Sequence, residues 1–181
     1  RSMEVSSKRL FPNFTFIDAP FNIKYYKKGD YNTEIATMGC RTRVFSSVFP
    51  ESDGIVTGRG NNSFTTINLV RLGIKHGIAL KERKEADWTG FYKELDSLMD
   101  LCKDQLLEHY EFQANQHVRN FPFLMGEGNW FGSEKLCPDD TLRDVIKHGS
   151  LSIGFIGVAE TLKAMLGKHH GEDEEARKKG L

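Results

Sequence analysis

Ser150-Leu151-Ser152-Ile153-Gly154-Phe155-Ile156-Gly157-Val158-Ala159-Glu160 is the stretch that decides the fold class. Its first part is apolar and β-branched, which predicts a strand. Gly157 then opens onto "VAETLKAMLGKHH", whose apolar residues recur at helical spacing. A strand that passes through glycine into a helix predicts an α/β protein. Two readings of the junction stay open. Unpaired N–H groups at the helix mouth attract phosphate, with Ser150, Ser152 and Gly157 as the candidates. Equally, Gly154 and Gly157 allow a strand and a helix to pack closely.

Working outward, "TLRDVIKHG" predicts a short helix stopped by Gly149. Before it, "FPFLMGEGNWFGSEKLCPDD" reads as a long irregular segment. The most regular element is "EADWTGFYKELDSLMDLCKDQLLEHYEFQANQHV". There Trp88, Phe91, Tyr92, Leu95, Leu98, Met99, Cys102, Leu106 and Tyr110 form an apolar stripe opposite charged residues, so a long amphipathic helix is predicted with Cys102 packed in its core face. Nearer the start, Asn13–Ile17, "EIATMGCRTRVFSSVF" and "SFTTINLVRLGI" have strand-like composition, the second interrupted at Gly39-Cys40. The two longer runs could pair as a hairpin or lie side by side in a barrel. "KKGDYN" and "ESDGIVTGRGNN" read as turn and loop. After Gly157 the helix is expected to close at Gly171 or to continue into the charged "EDEEARKK".

Composition excludes several classes. The 181 residues hold 25 Lys+Arg and 25 Asp+Glu, so the formal charge is zero and offers no electrostatic case for nucleic acid or an anionic membrane. No signal-peptide pattern or membrane-length apolar run is present. Three cysteines, Cys40, Cys102 and Cys137, are too scattered for a disulfide framework or a CxxC zinc site. A cytoplasmic location with reduced thiols is expected. Arg1-Ser2-Met3 and the charged terminal "GEDEEARKKGL" suggest an internal piece of a longer chain.

The candidate chemistry is concentrated in two glycine-bearing motifs. "TMGCRTRV" sets Cys40 between Gly39 and the pair Arg41 and Arg43, where neighbouring cations favour a thiolate or an anionic ligand. From residue types alone Cys40 is a buried filler, a metal ligand or a reacting sulfur. "GRGNNSF", Gly58 to Phe64, is a tight backbone that could hold a phosphate or carboxylate, or simply turn. His169-His170 lacks partners at metal-ligand spacing and reads as solvent-facing near a helix end. Cys137 before Pro138-Asp139-Asp140 reads as structural, and no metal ligand set is expected. A cysteine hydrolase would need a histidine paired with Cys40, and none stands near it in sequence.

Taken together, these segments resemble one family. Met38-Gly39-Cys40-Arg41-Thr42-Arg43-Val44, Gly58-Arg59-Gly60-Asn61 with Ser63–Leu69, Phe121-Pro122-Phe123-Leu124-Met125-Gly126, and Gly149 through Glu160 occur here in the order seen in the anaerobic (class III) ribonucleoside-triphosphate reductases. The resemblance extends to "SSKRLFPNFTFIDAPFN". It implies part of a ten-stranded α/β barrel with Cys40 on a loop tip, where its sulfur becomes a thiyl radical that removes the C3′ hydrogen of the ribose. Asn61, 21 residues after Cys40, matches an active-site asparagine found in relatives that use formate as reductant. A neutral amide can hydrogen-bond formate where a carboxylate would repel it.

The resemblance also implies what surrounds this segment in a parent enzyme. Its partners are a ribonucleoside triphosphate, formate, a radical-SAM iron–sulfur activating enzyme and a second copy as a homodimer. The glycyl radical loop, the four-cysteine zinc site, the nucleotide-sensing N-terminal cone and a second active-site cysteine have no counterpart among residues 1–181, so the segment is expected to hold no cofactor and to be inactive alone. Two positions depart from the pattern: Asn62 stands where an apolar residue is expected, and Val70 where proline is. The rival reading is a non-catalytic nucleotide-binding or interaction module of the same fold.

Overall fold

The computed structural model describes residues 1–9, 11–35, 37 and 42–180. It divides into two compact units, 1–62 with 113–150 and 63–112 with 151–181. The order is α1 (Ser2–Arg9), α2 (Pro20–Ile23), β1 (Asn61–Asn68), α3 (Leu69–His76), α4 (Trp88–Ala114), α5 (Arg143–Ile146), β2 (Ser150–Ile156), α6 (Val158–Leu166) and α7 (Glu174–Gly180), with short 3-10 and π turns between.

β1 and β2 pair in parallel, with Ser150 following Gly60 and Gly154 lying beside Thr65. A parallel pair needs a long crossover, and α3 and α4 supply it. The α/β expectation therefore holds. Among the described residues β1 takes its partner from the strand at 150–156, and the run at 34–49, expected to lie beside it, includes residues 36 and 38–41, which lie outside the described residues. Asn13–Ile17 forms no strand; the described part of this aromatic run is irregular, and Asn22 Nδ2 ties it down by donating to the Phe16 carbonyl at 2.5 Å. Likewise, residues 43–47 belong to no strand, and residues 38–41 lie outside the described residues.

The second unit explains why "NLVRLGI" turns from strand to helix. Asn68 Oδ1 accepts from Arg71 N at 3.3 Å, an N-cap that outweighs the β-branched composition. α3 then packs on α6. A β-carbon on Gly73 would stand 2.9 Å from Thr161 Cα, so the absent side chain sets how near the two helices come. Just past α3, Ile78 N donates to the Ala164 carbonyl at 2.9 Å, tying the helix end to α6. The core gathers Ile67, Leu69, Leu72, Phe91 and Met165, with Trp88, Leu95, Leu98 and Cys102 of α4 packed against it.

Cys102 is thus a packed, partly buried thiol, as its place in the stripe predicts. The stripe is narrower than its sequence suggests, since Tyr92 and Met99 are exposed. α4 starts where Asp87 caps it, Oδ1 accepting from Gly90 N at 2.8 Å. α6 closes at Gly167 (φ 78°), four residues before the expected Gly171, with Gly167 N donating to the Lys163 carbonyl. His170 is exposed, and His169 pairs with Glu172 at 3.0 Å.

The first unit has little regular structure and is held by side-chain bonds to the main chain. Its core comprises Val118, Met125, Trp130, Leu142, Val145 and Ile146. Trp130 Nε1 donates to the Val145 carbonyl at 2.8 Å, which seats the indole without an unpaired N–H. The predicted helix at "TLRDVIKHG" is the single turn α5. Within "FPFLMG", Pro122–Gly126 forms a five-residue π turn rather than plain coil.

Candidate functional site

The motif Gly58-Arg59-Gly60-Asn61-Asn62 leads into β1 through a set of specific bonds. Gly58 (φ 65°) accepts from Phe131 N at 2.7 Å, and a β-carbon there would lie 2.8 Å from that nitrogen. Only glycine allows this approach. Arg59 donates to five carbonyls: His148 from Nε at 2.9 Å, Phe45, Ser52 and Ile55 from Nη1, and Ser46 from Nη2. Burial draws its pKa down, opposed by Asp53, yet an arginine stays charged. The guanidinium therefore stitches residues 45–55 to the start of β2.

Asn61 follows directly. Its Oδ1 accepts from the Ser150 hydroxyl, while Ser150 N donates to the Gly60 carbonyl at 2.9 Å. With Oδ1 so engaged, the NH2 end of the amide is the end that can meet an anion. Asn62 Nδ2 donates to the Ile146 carbonyl at 2.8 Å, and Gln113 Nε2 donates to the Asn62 carbonyl at 3.2 Å. Asn61, Asn62 and Gln113 line a cavity of about 170 Å³ together with Phe121, Trp130 and Leu142. Gln113 Oε1 is buried with no partner among the described residues.

His148 sits beneath this motif and is buried. Nδ1 lies 2.9 Å from Ser52 Oγ, Phe131 and Phe49 meet the ring edge-on at 4.9 and 5.5 Å, and Glu51 stands 3.9 Å from Nε2. Burial pushes its pKa below the ordinary value, with Lys147 and Arg59 adding to the effect and Glu51 opposing it. It is a neutral packing histidine in the fold.

Of the residues singled out by sequence, Asn61 and Ser150 are brought into contact. Cys40, with Met38, Gly39 and Arg41, lies outside the described residues. Arg43 is described: Nη1 donates to Asn22 Oδ1 at 2.6 Å. Ser152 and Gly157 belong to the second unit, where Ser152 is half-buried in β2. Gly157 (φ 87°) is the N-cap of α6, and its carbonyl accepts from Thr161 N at 2.9 Å and Thr161 Oγ1 at 2.6 Å. Cys137 is an exposed free thiol in a turn, its amide donating to Asp140 Oδ2 at 2.7 Å.

Sequence reading missed Arg59, His148 and Gln113. For Arg59 the one local signal is its place between two glycines in the motif, while the carbonyls it binds belong to residues 45–55 and His148. For the other two, no local pattern distinguishes them. Among the described residues no three of His, Cys, Asp or Glu come together to hold a metal, and no helix is long and apolar enough to cross a membrane.

Known proteins resemble this chain along its whole length. A family model described as anaerobic ribonucleoside-triphosphate reductase matches residues 1–181. The anaerobic ribonucleoside-triphosphate reductase of Haemophilus influenzae is 31% identical over 184 residues, which cover 99% of this chain and 23% of the relative. The enzymes of that name from Salmonella typhimurium and Escherichia coli are 30% and 29% identical over 185 residues, with the same coverage. The chain thus spans about a quarter of the length of the curated relatives it matches.

Proposed function

The chain belongs to the anaerobic ribonucleoside-triphosphate reductase family, and from that membership we propose that it is an internal segment of the catalytic barrel of such an enzyme. In this reading the parent reduces ribonucleoside triphosphates to deoxyribonucleoside triphosphates in the absence of oxygen, in the cytoplasm and as a homodimer. β1 and β2 are two of the ten barrel strands. Cys40, as a thiyl, takes the hydrogen atom from C3′ and becomes a thiol while the radical passes to the sugar. The 2′ hydroxyl takes a proton and leaves as water. Formate gives two electrons and a hydrogen and leaves as carbon dioxide, so that C2′ carries hydrogen. The Cys40 thiol returns its hydrogen atom to C3′ and becomes a thiyl again. Burial of that sulfur is part of the chemistry, since exclusion of solvent protects a reactive intermediate.

The radical that activates Cys40 comes from a glycyl loop outside residues 1–181, generated by a radical-SAM iron–sulfur activating enzyme. The zinc site of the parent also lies outside residues 1–181. It follows that the segment is inactive alone. Asn61 holds formate or the ribose hydroxyls with its amide, and Ser150, Ser152 and Gly157 serve the triphosphate.

What supports the role of Asn61 is its bond with Ser150, which engages the amide oxygen and leaves the NH2 end to donate. An aspartate at this position presents like charge to formate and cannot donate when ionised. In the reductase that carries this segment, Asn61→Asp is expected to abolish formate-dependent turnover. Unchanged formate-dependent rates in that variant would remove the assignment. A non-catalytic nucleotide-binding module is the alternative, and it requires that Cys40 be dispensable.

A further inference from the structure

Two residues beyond the undescribed stretch that holds Cys40, an arginine stands in surroundings suited to an anion. Arg43 donates from Nη1 to Asn22 Oδ1 at 2.6 Å, and its guanidinium carbon lies 5.5 Å from the centroid of the Phe21 ring. Asn22 is 1% exposed. Its other end donates to the Phe16 carbonyl, so both ends of this amide are engaged and the guanidinium is fixed from behind. The partner that fixes it is neutral. A carboxylate at position 22 would cancel the charge, whereas an amide orients the fork and leaves the charge to act elsewhere.

Arg43 lines a cavity of about 270 Å³. Thr15 and Thr37 line it together with Phe14, Phe16 and Phe21. No carboxylate lines it, and Arg43 makes no ion pair among the described residues. Asp18 and Glu34 line the neighbouring cavity of about 380 Å³, with Asn22 shared between the two. Thr37 and Arg43, on either side of the Cys40 segment in sequence, both line the cationic one.

The geometry points to an oxyanion subsite at Arg43, taking a carboxylate or phosphate group in the cavity formed with Thr15 and Thr37. It rests on the proposed reductase reading only for the two sources of that group, which are formate and the substrate's triphosphate. Arg43 meets the oxyanion with charge-assisted hydrogen bonds, and the neutral Asn22 keeps the guanidinium aimed.

The test is a two-arm titration of the 181-residue chain, following the Arg43 side-chain N–H and the Asn22 side-chain amide by NMR. One arm adds sodium formate, the other tripolyphosphate, each against sodium chloride at matched ionic strength. A saturable shift at Arg43 and Asn22 beyond the chloride control is expected in one arm, and affinity about tenfold weaker in Arg43→Gln. Saturation by formate alone assigns the subsite to the reductant, and saturation by tripolyphosphate alone assigns it to the substrate. Shifts equal to those of chloride in both arms, or an unchanged affinity in Arg43→Gln, overturn it.

If Arg43→Gln loses its fold by circular dichroism, Arg43→Lys carries the test. It keeps the charge but not the fork, so a several-fold weaker affinity is expected, and an unchanged one overturns the subsite. Oxyanion binding at Arg43 without formate-dependent reduction by the parent removes the reductase reading and leaves this inference standing. Formate-dependent reduction without binding at Arg43 does the reverse.

Discussion

Asn62 occupies the space that Gly149 leaves empty: a β-carbon on Gly149 would overlap the Asn62 carboxamide. The same amide donates to the Ile146 carbonyl. The departure at position 62 is thus accommodated by a glycine 87 residues away in sequence, and the polar side chain is satisfied where an apolar one was expected. Gly149→Ala should destabilise the chain by about 1–3 kcal/mol through overpacking. Removing the obstruction with Asn62→Ala as well should recover part of that loss, so the double variant costs less than the two single ones together. Urea unfolding of the four proteins measures this, and strictly additive losses would show that the two residues do not compete for space.

Val70 and Gly157 repeat the relationship in the second unit. A β-carbon on Gly157 would overlap Val70 Cγ2, and the residue also sits at φ 87°. Gly157→Ala therefore meets both a clash and an unfavourable backbone, and a loss of about 2–4 kcal/mol is expected. Thermal unfolding reads it directly. Because the cost falls on β2 and α6, protection of their amides from hydrogen exchange should fall with it.

Leu72 and Met165 anchor the core shared by α3, α6 and the strand pair, at 3% and 1% exposure. Leu72→Ala or Met165→Ala should cost about 2–5 kcal/mol, whereas truncating Met99 on the exposed side of α4 should cost under about 1 kcal/mol. Comparable losses at all three positions would contradict the packing described.

His148 sets an acid limit on the first unit. Its folded pKa lies below the ordinary 6.5, chiefly through burial, so the unfolded chain binds the proton more readily. Stability from this group is complete above about pH 6.5 and is lost as pH falls below it towards the depressed folded value. The groups facing the ring are Ser52, Glu51, Phe49, Phe131, Lys147 and Arg59. His148→Gln should flatten the pH dependence of unfolding just below 6.5; an identical slope in both proteins would assign it to other groups.

The elements legible in sequence were those written by local pattern. α4, β2 and α6 follow from periodicity and from the Gly157 junction, and the α/β class follows from them. α3 was hidden because "TINLVRLGI" has strand composition throughout and only the Asn68 cap makes its second half helical. The early end of α6 turned on which glycine adopts positive φ, Gly167 rather than Gly171, and composition does not distinguish them. Asn13–Ile17 has β-type residues but no partner strand among the described residues, and its Phe16 carbonyl accepts from Asn22 instead. At the candidate site, motif resemblance singled out Asn61 as a proposed contact for formate or the ribose. Its bond to Ser150 spans 89 residues and has no sequence signal.

The proposed reaction depends on the Cys40 sulfur taking a hydrogen atom from the ribose. Formate-dependent deoxyribonucleotide formation by the reductase that carries this segment, unmodified and as Cys40→Ala, tests that most directly, with nucleotide binding confirmed in both. The expected result is product from the unmodified enzyme and none above background from Cys40→Ala. Sustained formate-dependent turnover by Cys40→Ala would contradict it.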